Sequence, residues 1–136
     1  MADKINFQIA TADGVVCDAM ASYVLVPLTD GDAGIMANHA AMIGALREGV
    51  VKYVTEGEEH YAAVSGGVVS VADNELILLA RTAEKAETID LARAQASEKR
   101  ARARIDSKNS DIDLKRAELS LQRAIAREKA YRLMHK

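Results

Sequence analysis

The chain has 136 residues, 49% hydrophobic and 28% charged, with a formal net charge of −2 and a single cysteine. One cysteine, Cys17, excludes an internal disulfide and fits a reducing compartment, with the thiol read as a small buried hydrophobe. One Phe and four Tyr offer no base-stacking platform, so nucleic acid is not an expected partner.

The opening MADKINFQIA lacks the apolar stretch of a signal peptide. The longest uncharged run, Ala33 to Leu46, is too short to span a bilayer and carries Gly34, Asn38, His39 and Gly44. Membrane association is therefore expected only through a partner, and a cytoplasmic location follows.

In chain order, Ile5, Phe7 and Ile9 alternate with polar residues, the period of a half-buried strand, and Asp13-Gly14 supplies a turn. Val15–Cys17 and Tyr23–Val26 follow as short strand-forming runs, with Pro27 suited to a strand end or an edge. Ala40–Leu46 allows a turn of helix. Val50–Val54 and His60–Val64 are strands joined by a hairpin turn at Glu56–Glu59. Ser65-Gly66-Gly67 reads as a break before Val68–Val71, Asp73-Asn74 as a turn, and Leu76–Leu79 as the last strand. Short strands with such frequent turns point to an antiparallel sandwich or barrel, and the first half is read as a β-sandwich.

Beyond Gly67 there is neither glycine nor proline, and the charge changes sign. Through Thr82, 4 Lys and Arg stand against 11 Asp and Glu; from Ala83 onward, 14 stand against 9. Helical spacing begins near Glu84, with a start signal at Thr88, Asp90 and Leu91. Leu91, Ala94, Ala101 and Ile105, with Glu98 in the remaining position, form one seam suited to another helix. The polar cluster Asp106–Asp111 reads as a tight connection. A second helix over Ile112–Leu133 carries two apolar lines: Leu114, Ala117, Leu121, Ala124 and Ile125, and Ile112, Leu119, Ala126 and Leu133. Either the second line docks on another surface, or alanine-rich sequence produces it by accident. The fold class is therefore α+β with two domains, a β-sandwich over residues 1–83 and a two-helix antiparallel hairpin over 84–136.

On the first helix Asp90, Arg93, Ser97, Arg100 and Arg104 fall within a sector of about 80°. Arginine forks match phosphate oxygens, so a nucleoside triphosphate is one reading of this face, and a solvated charged surface is the other. Arg123 and Arg127, one turn apart on the second helix, are placed to join such a site. No glycine-rich loop precedes a Lys-Ser/Thr pair, so the usual phosphate cradle of a nucleotide-hydrolysing enzyme is absent. His39, His60 and His135 have no metal-ligand spacing, and no Ser-His-acid set is visible. The chain reads as a non-enzyme with no metal site.

Three stretches, in order and over nearly the whole chain, resemble the epsilon-subunit family of bacterial F-type ATP synthase. They are Gly31–Ile35 through His39 with Leu46–Val50, then Val64–Val68 with Asp73–Ala80, and Ile89-Asp90-Leu91-Ala92-Arg93-Ala94. The last is similar to the family's Ile/Leu-Asp-x-x-Arg-Ala motif. One departure stands out: the family usually has Pro-Gly before its histidine, where this chain has Ala37-Asn38 before His39.

The resemblance implies a non-catalytic rotor-stalk subunit of a proton-translocating ATP synthase, held at the cytoplasmic face of the bacterial membrane through the complex. Its sandwich would bind the gamma subunit and the c-subunit ring, with Asp30, Asp32 and His39 as contact candidates. Its hairpin would act as a mobile brake, placing Lys115, Arg116, Arg123 and Arg127 against the alpha and beta catalytic subunits to oppose ATP hydrolysis. ATP would act as a regulatory ligand favouring the folded hairpin, at Glu84, Ile89, Asp90, Arg93, Ala94, Arg100, Arg123 and Arg127. No visible motif requires magnesium. A free-standing ATP sensor and a generic adaptor with a helical hook are the alternatives.

Overall fold

The structure, a computed structural model, describes residues 3–107 and 111–135; for residues 111–113 only the backbone is described. Eight strands form one sheet: β1 (Ile5–Thr11), β2 (Gly14–Ala21), β3 (Tyr23–Leu28), β4 (Gly31–Ile35), β5 (Met42–Leu46), β6 (Gly49–Thr55), β7 (Glu58–Ala72) and β8 (Glu75–Lys85). A 3-10 turn over Ala86–Thr88 leads to α1 (Leu91–Ser107) and α2 (Asp111–Met134). The strand order is β2-β1-β8-β7-β5-β3-β4, and β6 pairs with both β3 and β7. The sheet thereby folds over on itself. All ladders are antiparallel except β1–β8, which is parallel.

Alternation drives this arrangement. Ile5, Phe7 and Ile9 of β1, Leu76 and Leu78 of β8, and Val69 and Val71 of β7 point inward with Val24, Val26, Val51 and Tyr53. Burial raises the Cys17 thiol above its ordinary value, as expected of a small core residue beside Tyr53. Glu56-Gly57 and Asp73-Asn74 form two-residue hairpin turns with positive φ at every position, which suits the right-handed twist of the flanking strands.

Three expectations need correcting. Ala40–Leu46 holds a strand, not a turn of helix: Met42–Leu46 pairs with Gly67–Val71, and those ladder bonds outweigh a helix weakened by Gly44. Gly31–Ile35, given no element from the sequence, is the edge strand β4. Ser65-Gly66-Gly67 does not end a strand, because β7 runs through it. There β7 exchanges β6 for β5 as its neighbour while keeping β8 on the other side. At Gly67 the backbones of β7 and β8 come so close that a Cβ would overlap the Leu79 carbonyl oxygen and lie 2.9 Å from Ala80 Cα. The last strand also runs past Leu79, through Glu84 to Lys85.

Burial along β7 loses its alternation at Tyr61–Gly66, where every residue is buried. Both faces are covered there. Ala62 and Val64 face the sandwich core, while Tyr61 and Ala63 meet Ala126 and Ala130 of α2, with Ala86 and Ile89 in the same cluster. The second apolar line of α2 thus docks on the protein's own sheet. The first line meets α1: Ala117 and Ala124 are buried, as are Ala94 and Ala101 of the facing seam. Leu119 and Ile125 depart from the expected lines and are exposed: Leu119 precedes the Ala126–Leu133 stretch that meets the sheet, and Ile125 lies off the buried Ala117 and Ala124. Lys108–Ser110 of the expected connection and the side chain of Ile112 lie outside the described residues. Among the described residues, no helix is long and apolar enough to cross a membrane.

Candidate functional site

Where the hairpin rests on the sheet, a cleft of about 290 Å³ opens between β7, β8 and the two helices. Its polar lining comes from Thr82 and Glu84 of β8, Ser97 of α1, and Ser120, Arg123 and Arg127 of α2. Each group is placed by ordinary local rules. Glu84 pairs with Ala63 across the β7–β8 ladder and so stands on the face of the sheet that the hairpin covers. Ser120, Arg123 and Arg127 follow i, i+3, i+7 spacing and so share one helix face. Arg127 Nε forms an ion pair with Glu84 Oε1 at 3.4 Å, and Arg123 Nη2 donates to Ser120 Oγ at 3.1 Å. Both partners of the Glu84–Arg127 pair are more than a third exposed, so the pair is weak. Two guanidiniums against one carboxylate leave the cleft cationic.

The eight residues proposed for nucleotide contact are therefore only partly gathered. Glu84, Arg123 and Arg127 line the cleft. Arg100 reaches it indirectly, donating from Nη2 to Ser97 Oγ at 3.0 Å. Arg93 is exposed and does not line it; its backbone N–H donates to Asp90 Oδ1 at 3.1 Å. Asp90 is thus the N-cap of α1. Ile89 and Ala94 are buried, the first in the cluster that docks the hairpin and the second in the helix seam. The lining residues the sequence reading left out are Thr82, Ser120 and the apolar Ala63, Val64 and Ala83. Ser120, one turn before Arg123, carried a detectable signal; the strand residues carried none.

The contact candidates on the sandwich fall at two places. Asp30 lies in the β3–β4 turn, and Asp32 in β4 is paired with Arg47 at 2.5 Å. His39 lies beyond the other end of β4, where its Nδ1–H donates to the Ala40 carbonyl at 2.8 Å. Just before it, Asn38 adopts φ 63°. Asparagine, next to glycine the residue most tolerant of this left-handed region, thus stands where the resembled family has glycine. Its N–H donates to Asn74 Oδ1 at 2.9 Å, and Asn74 Nδ2 donates to the Lys4 carbonyl, tying the loop to the β7–β8 turn. Lys115 and Arg116 are exposed near the start of α2.

On the outer face of the sheet, strand register aligns Ala45, Val68, Leu79, Ala10 and Val15 in one row across five strands. Ile43 and Ile77 stand in the next row. Ile43 is 81% exposed, Leu79 55% and Val68 47%. These exposed side chains form an apolar band across the outer face of the sheet.

The protein is thus built of two modules, a folded sheet with an exposed apolar band and a helical hairpin docked beside a cationic cleft. The beta-sandwich model of the ATP synthase delta/epsilon chain matches residues 4–86, and the long alpha-helix model of the same chain matches residues 87–131. The chain is 41% identical over 105 residues to an ATP synthase epsilon chain of Carboxydothermus hydrogenoformans, covering 77% of this chain and 78% of that one. An epsilon chain of Symbiobacterium thermophilum is 44% identical over 105 residues, 77% of this chain and 76% of that one. In structure, the chain is similar to one in the Euglena gracilis mitochondrial ATP synthase, OSCP/F1/c-ring assembly. The TM-score is 0.80 at 21% identity, over 93% of this chain and 81% of the other. The chain belongs to the ATP synthase delta/epsilon chain family, and is a non-catalytic subunit of that complex.

Proposed function

We propose that this subunit sits in the central stalk at the cytoplasmic face of the membrane, couples rotor parts, and restrains ATP hydrolysis through a hairpin whose position depends on ATP. The observation that carries this reading is the composition of the cleft: β8 supplies Glu84, α1 supplies Ser97, and α2 supplies both arginines. The complete lining exists only while the hairpin is docked. A ligand that needs all of it therefore favours the docked state by its differential affinity.

The dock itself is shallow. Ala126 and Ala130 meet Tyr61 and Ala63, and alanine buries little surface. Ligand at a hundred times its dissociation constant contributes roughly 2.7 kcal/mol, enough to matter against such a contact. In the undocked arm Lys115, Arg116, Arg123 and Arg127 are free to meet acidic surfaces of the alpha and beta subunits. In the docked arm Arg123 and Arg127 are turned to the cleft. The deciding experiment is calorimetric titration of the full chain with ATP, with and without magnesium, beside an ATPase assay of the reconstituted complex. Saturable binding that relieves inhibition is expected; absence of binding at millimolar ATP sinks the sensing role.

The outer apolar band suits the gamma subunit, and Asp30 of the β3–β4 turn with Asp32 of β4 suits basic loops of the c-subunit ring. Leu79→Asp places a charge in the centre of the band without touching the core. The variant should keep its circular dichroism spectrum and lose co-purification with gamma. Undiminished capture of gamma by a folded variant would move that interface elsewhere.

A further inference from the structure

The α1–α2 seam is built from small apolar residues, with one acidic exception on each helix. Glu98 stands between Ala94 and Ala101 on α1, and Glu128 follows Ala124 by one turn on α2. Glu128 is only 5% exposed, which for a carboxylate demands full pairing. It is not fully paired. Its Oε1 accepts from Arg132 Nη2 at 3.3 Å, while Oε2 is shielded from solvent and has no partner. Glu98 likewise holds Arg102 through Oε2 at 3.2 Å. These four groups and Lys129 are the charged lining of one cavity between the helices, and no described residue of the sheet lines it.

We infer that Glu98 and Glu128 hold one proton between them in the closed hairpin, making the seam a proton-operated latch. Two carboxylates lining one cavity of the seam repel if both are ionised, and each arginine is already engaged by the glutamate one turn away on its own helix. A single proton on Glu128 resolves both problems: the bare oxygen becomes a donor, and Glu98, the more exposed of the two, accepts as the carboxylate. The direction of each group's shift agrees. Burial and then the bond to Glu98 push Glu128 above its ordinary 4.5, while the bond from Glu128 and then Arg102 hold Glu98 below it. Separating the helices returns both acids to water and releases the proton.

The sign follows from these directions. Above the ordinary carboxylate range Glu98 is ionised in both states and its contribution is constant. Glu128 takes up its proton only on closure, so closure is favoured at lower pH and loses stability as pH rises through the raised value. This coupling holds whether or not a nucleotide occupies the cleft on the other side of the hairpin.

Two measurements on the full chain test it. In the 13C-labelled wild type, the Glu128 carboxyl carbon should titrate above, and that of Glu98 below, the other glutamates. Independently, the thermal midpoint of helix loss at 222 nm should fall from about pH 5 to about pH 8 in the wild type. In Glu128→Gln, which keeps shape and supplies a permanent donor, it should fall less. His39, His60 and His135 are common to both proteins, so the difference isolates Glu128. Glu128 titrating with the ordinary glutamates overturns the latch, as does an unchanged pH slope in a folded Glu128→Gln. If the variant loses its hairpin, the wild-type titration decides alone.

Discussion

Replacing Arg127 with alanine is expected to weaken ATP binding by roughly 10- to 100-fold, the equivalent of one lost charge-assisted hydrogen bond. The size follows from the cleft's charge balance. With Arg127 present, two guanidiniums face one carboxylate; without it, Glu84 loses its partner and confronts Arg123 alone. The substitution therefore removes an attraction for phosphate and uncovers a repulsion. Fold stability should hardly change, because the Glu84–Arg127 pair is long and solvent-exposed. Calorimetry on the variant gives the answer: unaltered affinity removes Arg127 from the site, and binding abolished together with helical signal would mean that Arg127 holds the dock.

The second large effect lies in the sandwich. Gly67→Ala should destabilise the protein by about 3 kcal/mol or more, at the upper end of what overpacking costs. The added methyl meets backbone, the Leu79 carbonyl oxygen and Ala80 Cα, and backbone cannot swing aside as a flexible side chain can. β7 and β8 would have to part along their whole ladder, and β8 carries the chain into the hairpin. By contrast, a Cβ at Gly66 meets only the ends of Arg81 and Glu48, so Gly66→Ala should cost far less. Denaturant unfolding of the two variants separates the cases, and similar midpoints would show that the close approach at Gly67 can relax.

Reading the sequence worked where one local rule governed. Alternation in Ile5-Phe7-Ile9 and the turn chemistry of Asp73-Asn74 marked strands and hairpins correctly, and the stripe Leu91, Ala94, Ala101, Ile105 marked a helix seam. It failed where tertiary pairing decided. β4 and β5 are short, carry glycines and show little polar alternation, and they exist because neighbouring strands recruit their backbones. Gly66-Gly67 reads as punctuation, because the sequence does not distinguish a glycine that turns the chain from one that lets two strands touch. The same limit shaped the site. A helical wheel could group Arg93, Arg100 and Arg104, but not reveal that α2 and β8 would build the cleft, since that depends on which face docks. Ile89, Asp90 and Ala94 sit in the recognised motif; in the structure they position the helix, through burial and an N-cap, and none of them lines the cleft.

The one parallel ladder, β1 against β8, has a consequence for how the molecule is made. Synthesis delivers β1 first and β8 last among the strands, so one edge of β1 stays open until residues 75–79 leave the ribosome. β1 can pair early with β2, but the sandwich closes only when the far end of its own sheet arrives, a slow non-local step. The helices follow β8 in the chain, so Tyr61 and Ala63, the platform on which α2 docks, leave the ribosome before the hairpin does.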